Sequence, residues 1–128
     1  MLRHVGLVCR SVEKADRFYR DFLGLTKSGP KILPAAPARE LFGIDSGIPV
    51  LNYIGEGLHF EIFILEGDVP AAAPPAHVCI ETGDLDGFLE RCAVHKIPVI
   101  RARKGESWVT FVRDEDGNLF EVKKAAGG

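Results

Sequence analysis

The chain states one pattern twice. His4-Val5-Gly6-Leu7-Val8 leads into a helix-forming stretch that stops at Gly24, and His77-Val78-Cys79-Ile80-Glu81 leads into another that stops near His95. Each half later carries a matching turn and strand, Gly57-Leu58-His59-Phe60-Glu61 and Gly117-Asn118-Leu119-Phe120-Glu121. An internal repeat constrains a chain strongly, because each copy is one supersecondary unit and equal patterns bury equal faces. If the halves fold alike, a pseudo-two-fold axis brings His4, Glu61, His77 and Glu121 to one centre.

The elements follow from local signals. Leu2 to Cys9 is apolar and suited to a strand, and Ser11 is an N-cap with Glu13 in the first helical turn. Val12, Ala15, Phe18, Tyr19, Phe22 and Leu23 recur at helical spacing, and Gly24 is a natural stop. In the second copy Val78 and Ile80 sit in a strand, Asp84 is the N-cap, and Leu85, Phe88, Leu89 and Cys92 make the apolar stripe. Pro98 ends that helix and begins a short strand through Arg101. Residues 28–39, rich in Pro and Ala, read as a loop with a short helical turn at 39–42. Residues 48–54 and 58–65 read as strands about Gly55-Glu56-Gly57, and 108–113 and 118–123 as strands about the acidic turn 114–117.

The expected fold is therefore α+β: two βαβββ modules related by a pseudo-two-fold axis, forming a curled mixed β-sheet cleft with helices outside. One domain spans 1–128, with module 1 at 1–65, a linker at 66–75, module 2 at 76–124 and a frayed tail at 125–128. A length of 128 residues suits one compact core. A net charge of −2 offers no basic footprint for nucleic acid and no attraction to an anionic membrane. No stretch is apolar enough to serve as a signal peptide or a membrane span, so the expected location is cytoplasmic. Cys9, Cys79 and Cys92 have no CxxC spacing and read as free thiols. Of these, Cys79 shares a strand face with His77.

Strand alternation explains how scattered residues become one site. Phe60, Ile62 and Ile64 form an apolar face for the helices, so Glu61 points the other way with His59 and Phe63. Phe120 and Val122 likewise leave Glu121 on the opposite face. Val5, Leu7, Val78 and Ile80 face the helices, which turns His4 and His77 away from them. Two carboxylates together need a positive partner. With two neutral imidazoles they suit one borderline divalent ion (Ni, Zn, Co, Mn or Fe) with positions left for water or substrate.

The run HVGLVCRSVEKADRFYRDFLGL resembles the opening module of the vicinal oxygen chelate superfamily, and FVRDEDGNLFEVKK resembles its closing hairpin. That superfamily holds glyoxalase I, methylmalonyl-CoA epimerase, extradiol dioxygenases and the fosfomycin and bleomycin resistance proteins. The resemblance implies that the glyoxalase I pattern of His, Glu, His, Glu falls on His4, Glu61, His77 and Glu121. It also implies a metal whose bound oxygens stabilise an enediolate, and a homodimer. Glu61 leans toward the glyoxalase-like set, since the epimerase branch usually has glutamine there. Dioxygenases and fosfomycin enzymes use two histidines and one glutamate, which fits if His59 replaces Glu61. The arginine and asparagine that serve glutathione in bacterial glyoxalase I are Val8 and Leu65 here, which argues against that substrate.

The expected function is thus a metal-dependent lyase or isomerase acting on a small molecule, with Glu121 first and Glu61 second as general base. The alternatives are a non-catalytic binding protein of the bleomycin-resistance type and an Fe(II) ring-cleaving dioxygenase. His59 reads as a supporting partner, a general acid or an alternative ligand. Arg101, Arg103 and Lys104 read as a basic loop able to clamp an anion. Phe63 and Trp108 are candidates for lining an apolar pocket, and Cys79 for lining the cleft. His95 is a structural helix-end residue, and Asp114, Glu115 and Asp116 are solvated turn residues.

Overall fold

Alternation between buried and exposed side chains divides each sheet into a helix-facing side and an open side. A computed structural model of the chain describes residues 1–67, 73 and 75–126. Residues 68–72 and 74 of the expected linker, and 127–128 of the expected tail, lie outside the described residues. The chain divides into two compact units, Met1–Val69 and Pro70–Gly128.

The first unit runs β1 (Val5–Cys9), α1 (Val12–Ala15) continuing as a π-helical segment (Asp16–Phe22), β2 (Thr26–Leu33), α2 (Ala35–Phe42), β3 (Ile48–Gly55) and β4 (Leu58–Ile64). Its strands are ordered β1-β4-β3-β2, with β1 parallel to β4 and the other pairs antiparallel. The second unit runs β5 (Val78–Thr82), α3 (Leu85–Val94), β6 (Val99–Lys104), β7 (Ser107–Arg113) and β8 (Leu119–Lys124). Its order, β5-β8-β7-β6, and its one parallel pair repeat those of the first unit.

The expected curled β-sheet cleft is not what forms. The strands make two separate, open sheets of four, and neither is closed or strongly curled. Four strands per module are too few to close on themselves; even small barrels need about eight. The outer strands are β1 and β2 in one sheet and β5 and β6 in the other.

The core of the first unit is aromatic. Phe18, Tyr19 and Phe22 are buried against Leu51, Tyr53, Phe60 and Ile62, with Tyr19 5.4 Å from both Tyr53 and Phe60 by ring centroid. Ser11 caps the helix by accepting from Lys14 N at 3.2 Å. The helix then widens. Leu23 N–H donates to Phe18 O, five residues back, at 2.9 Å. The apolar spacing alone does not separate i→i+4 from i→i+5 turns, because residues four apart stay near one face in both. In the second unit Asp84 caps α3 by accepting from Gly87 N at 2.9 Å. Phe88 and Cys92 are buried, as are Ile80, Val112, Phe120 and Val122 of its sheet.

Three local expectations are corrected. The expected loop at 28–39 is strand and helix: β2 reaches Leu33 and α2 starts after Pro34. A register shift between Ser28 and Lys31 absorbs the cis Gly29-Pro30 bond on this edge strand, where a missing N–H is tolerated. Pro37 falls in the first turn of α2, where no N–H is needed. The expected basic loop is also strand, since β6 runs to Lys104 and carries its charges on a solvated edge. Asp114 is buried, not solvated. It accepts from Asn118 N at 2.8 Å, Asn118 Nδ2 at 2.7 Å and Asp116 N at 3.0 Å, so it staples the turn. Among the described residues no helix is long and apolar enough to cross a membrane.

Candidate functional site

Register places a histidine beside a glutamate in the same way in both units. On β1 and β4, Val5 lies opposite Phe60 and Gly6 opposite Glu61. On β5 and β8, Val78 lies opposite Phe120 and Cys79 opposite Glu121. His4 and His77 each precede the first strand residue, and each reaches the glutamate of the parallel neighbour. His4 Nε2 is 3.7 Å from Glu61 Oε2, and His77 Nε2 is 3.3 Å from Glu121 Oε1. Donor atoms sharing one ion at bond lengths of 2.0–2.2 Å and tetrahedral or octahedral angles sit about 2.8–3.6 Å apart. The His77–Glu121 pair has that spacing, and the His4–Glu61 pair is slightly wider.

The imidazole of His77 is oriented by its own chain. Its Nδ1 donates to the carbonyl of Pro75 at 2.7 Å, and a carbonyl only accepts. Nδ1 therefore carries the proton. Nε2, facing the carboxylate, either bears a second proton or presents its lone pair to a cation between the two acceptors. Phe111 packs edge-on against the ring at 5.5 Å. Lys123 Nζ approaches the other oxygen of Glu121 at 3.7 Å. Cys79, exposed on this face, has its thiol pushed up by burial first and by the charge of Glu121 second, so it stays protonated.

In the first unit the His4 ring lies 5.4 Å from that of His59. His59 Nε2 is 2.7 Å from Asn52 Oδ1, to which it donates. Asn52 was missed in the sequence, although it is the one polar side chain between Val50 and Ile54 on the face that β3 shares with Glu61. His4 and Glu61 border a hollow of about 380 Å³ whose other walls include Phe42, Ile44, Phe63 and Leu65. Phe63 meets Phe42 edge-to-face at 5.5 Å. The helix α2 that brings Phe42 was not anticipated over residues 35–38.

Arg101, Arg103 and Trp108 belong to the other face of the second sheet. Arg101 pairs with Thr110 and so with Val122, whereas Ile100 pairs with Phe111 and so with Glu121. Strand alternation puts both arginines and Trp108 on the face opposite Glu121. There the guanidinium groups stack on the exposed indole at 5.3 and 5.2 Å.

Among the described residues no group of three or more His, Cys, Asp or Glu side chains that could hold a metal ion is gathered. Each unit offers one imidazole and one carboxylate, a donor set that fits a borderline divalent cation when further ligands complete it.

The sequence profile of the Glyoxalase/Bleomycin resistance protein/Dioxygenase superfamily matches residues 1–122. The chain belongs to that superfamily. Solved structures similar to this superfamily member share its fold at low identity. A fosfomycin resistance protein, FosX, from Listeria monocytogenes, a variant complexed with Mn(II) and 1S,2S-dihydroxypropylphosphonic acid, has a TM-score of 0.71 at 17% identity, covering 99% of this chain and 93% of that one. A glyoxalase family protein from Bacillus anthracis has a TM-score of 0.69 at 17% identity, covering 98% and 95%. One from Enterococcus faecalis has a TM-score of 0.68 at 17% identity, covering 95% of each chain. No curated protein matches the chain.

Proposed function

We propose that the protein is a metal-dependent lyase or isomerase of the glyoxalase type, with His4, Glu61, His77 and Glu121 as its donors to a divalent ion. The observation that carries this reading is the same His/Glu pair, at the same register, in both units. A FosX of the same fold solved with Mn(II) supports a cation.

When bound, such an ion polarises a substrate oxygen and lowers the pKa of the neighbouring C–H. His77 is held for this role, because its Nδ1–H bond to Pro75 fixes the ring and aims Nε2 at Glu121. Glu61 borders the hollow, so its carboxylate faces a molecule seated there and takes the proton as general base. Glu121, flanked by His77 and Lys123, serves mainly as a donor. This arrangement brings Glu61 ahead of Glu121 as base, the reverse of the order read from the sequence. A small-molecule substrate and a homodimer complete the reading.

A second reading rests on the largely apolar lining of the hollow, which also suits a protein that sequesters a small molecule without changing it. Metal content separates the two. Wild type stripped with chelator and reconstituted with Ni, Zn, Co, Mn or Fe(II) takes up about one ion per chain, and the His77→Ala/Glu121→Ala double variant loses it. Wild type that retains no ion under any of these conditions would leave the sequestering protein as the better account.

A further inference from the structure

We propose that the hollow beside His4 and Glu61 selects substrates bearing an uncharged apolar substituent, with Phe42 as the specificity-determining residue. The proposal rests on the reading of His4 and Glu61 as the chelating end of the site, and adds the chemistry of what lies beyond it.

The hollow, about 380 Å³, falls at the lower end of the range for small-molecule sites. Its polar groups are His4 and Glu61, and beyond them the walls are aliphatic and aromatic. No lysine or arginine lines it among the described residues. An anionic tail directed away from the chelating end would find no cationic side chain there to pair with. A neutral hydrocarbon tail would instead cover Phe42, Ile44, Phe63 and Leu65.

Two local features shape the space. Phe42 comes from α2, which the first module inserts between β2 and β3, whereas the second module joins the equivalent strands by a turn at Gly105 and Glu106. Phe42 is 53% exposed, so it contributes little to the core and is free to serve a ligand. Gly6 forms part of the floor. A Cβ there would lie 3.3 Å from the ring edge of Phe63, closer than side chains ordinarily pack. The equivalent position in the second module is Cys79. Glycine thus lets Phe63 lie against β1 and keeps the hollow deep.

Lys31 lines an adjoining hollow that shares Phe42, Glu61 and Phe63 with the first. A tail directed there would be acidic, which supplies the competing outcome. The probes are hydroxamic acids, which chelate through two oxygens and differ only in the tail. On metal-loaded protein, calorimetric affinity should rise from acetohydroxamic to butyrohydroxamic to hexanohydroxamic acid by about fourfold per methylene until the hollow is full. Benzohydroxamic acid should bind more tightly than its 4-carboxy analogue. Phe42→Ala should weaken the hexano probe about tenfold while sparing the aceto probe, with the thermal midpoint little changed. Gly6→Ala should shift preference toward the shorter tails.

An affinity indifferent to tail length, or a 4-carboxy analogue that binds more tightly through Lys31, would overturn the proposal and leave the metal reading intact. Tail-dependent binding that is equal in metal-free protein and in Glu61→Gln would preserve the apolar selectivity and sink the metal reading instead.

Discussion

At the scale of single residues, the same side-chain chemistry is put to opposite uses at two ends of β8. Glu121 stands on the face away from the helix, 3.3 Å from His77 Nε2. Asp114, just before the strand, is buried and accepts three hydrogen bonds within its own turn. Removing that carboxylate leaves buried N–H groups without an acceptor, so Asp114→Ala should cost about 2–4 kcal/mol in urea unfolding. A variant within about 0.5 kcal/mol of wild type would contradict the staple. Composition hid this difference. An acidic run such as Asp114-Glu115-Asp116 reads as solvated until the neighbouring Asn118 is seen folded back onto it.

At the scale of elements, the π-helical segment is tied to its sheet by a polar cluster. Tyr53, fully buried on β3, donates to Asp16 Oδ1 at 2.8 Å, and Lys27 on β2 donates to Asp16 Oδ2 at 3.0 Å. Burial, and then the hydrogen bond to Asp16, raise the phenol far above its ordinary value. The folded state therefore keeps this proton where the unfolded chain releases it. Below about pH 10 both states hold the proton and the contribution to stability is complete. Above about pH 10 the unfolded phenol ionises, the unfolded state binds fewer protons, and stability falls as pH rises. Denaturant unfolding from about pH 9 to about pH 11 should show a shallower loss in Tyr53→Phe than in wild type. Parallel curves would remove Tyr53 from the alkaline transition. The helix itself was legible from Ser11, the apolar spacing and Gly24. Its widened turns were not, because they depend on how Phe18, Tyr19 and Phe22 pack against the strands. Strand β2 and the start of α2 were hidden by the prolines at 30, 34 and 37, which fall where an edge strand and a first helical turn tolerate them.

At the scale of the whole molecule, the two units carry one strand order and one register, yet differ where a ligand would be chosen. The shared part supplies the His/Glu pairs. The unshared part, α2 and Gly6 in the first unit, shapes the hollow. If the pairs bind an ion in the folded state only, saturation should stabilise the protein by mass action, by about 2.7 kcal/mol at one hundred times the dissociation constant. Thermal unfolding with and without the reconstituting ion, in wild type and in His4→Ala, reads this directly. An equal shift in both proteins would remove His4 from the donors.

The sequence by itself determined the repeat, the order of elements in the second module, and the face on which His4, Glu61, His77 and Glu121 stand. All of these follow from local periodicity and from strand alternation, which depend on neighbours along the chain. Tertiary structure alone decided that the sheets stay open, since closure depends on pairing between strands and four strands cannot complete it. It decided that Arg101, Arg103 and Trp108 face away from Glu121, because the pairing of β6 with β7 assigns that side. It also decided the partners of the histidines, Pro75 for His77 and Asn52 for His59. Hydrogen bonds of this kind depend on where the folded backbone sets its carbonyls and on which strands it pairs, and no local pattern of residue types encodes those distances.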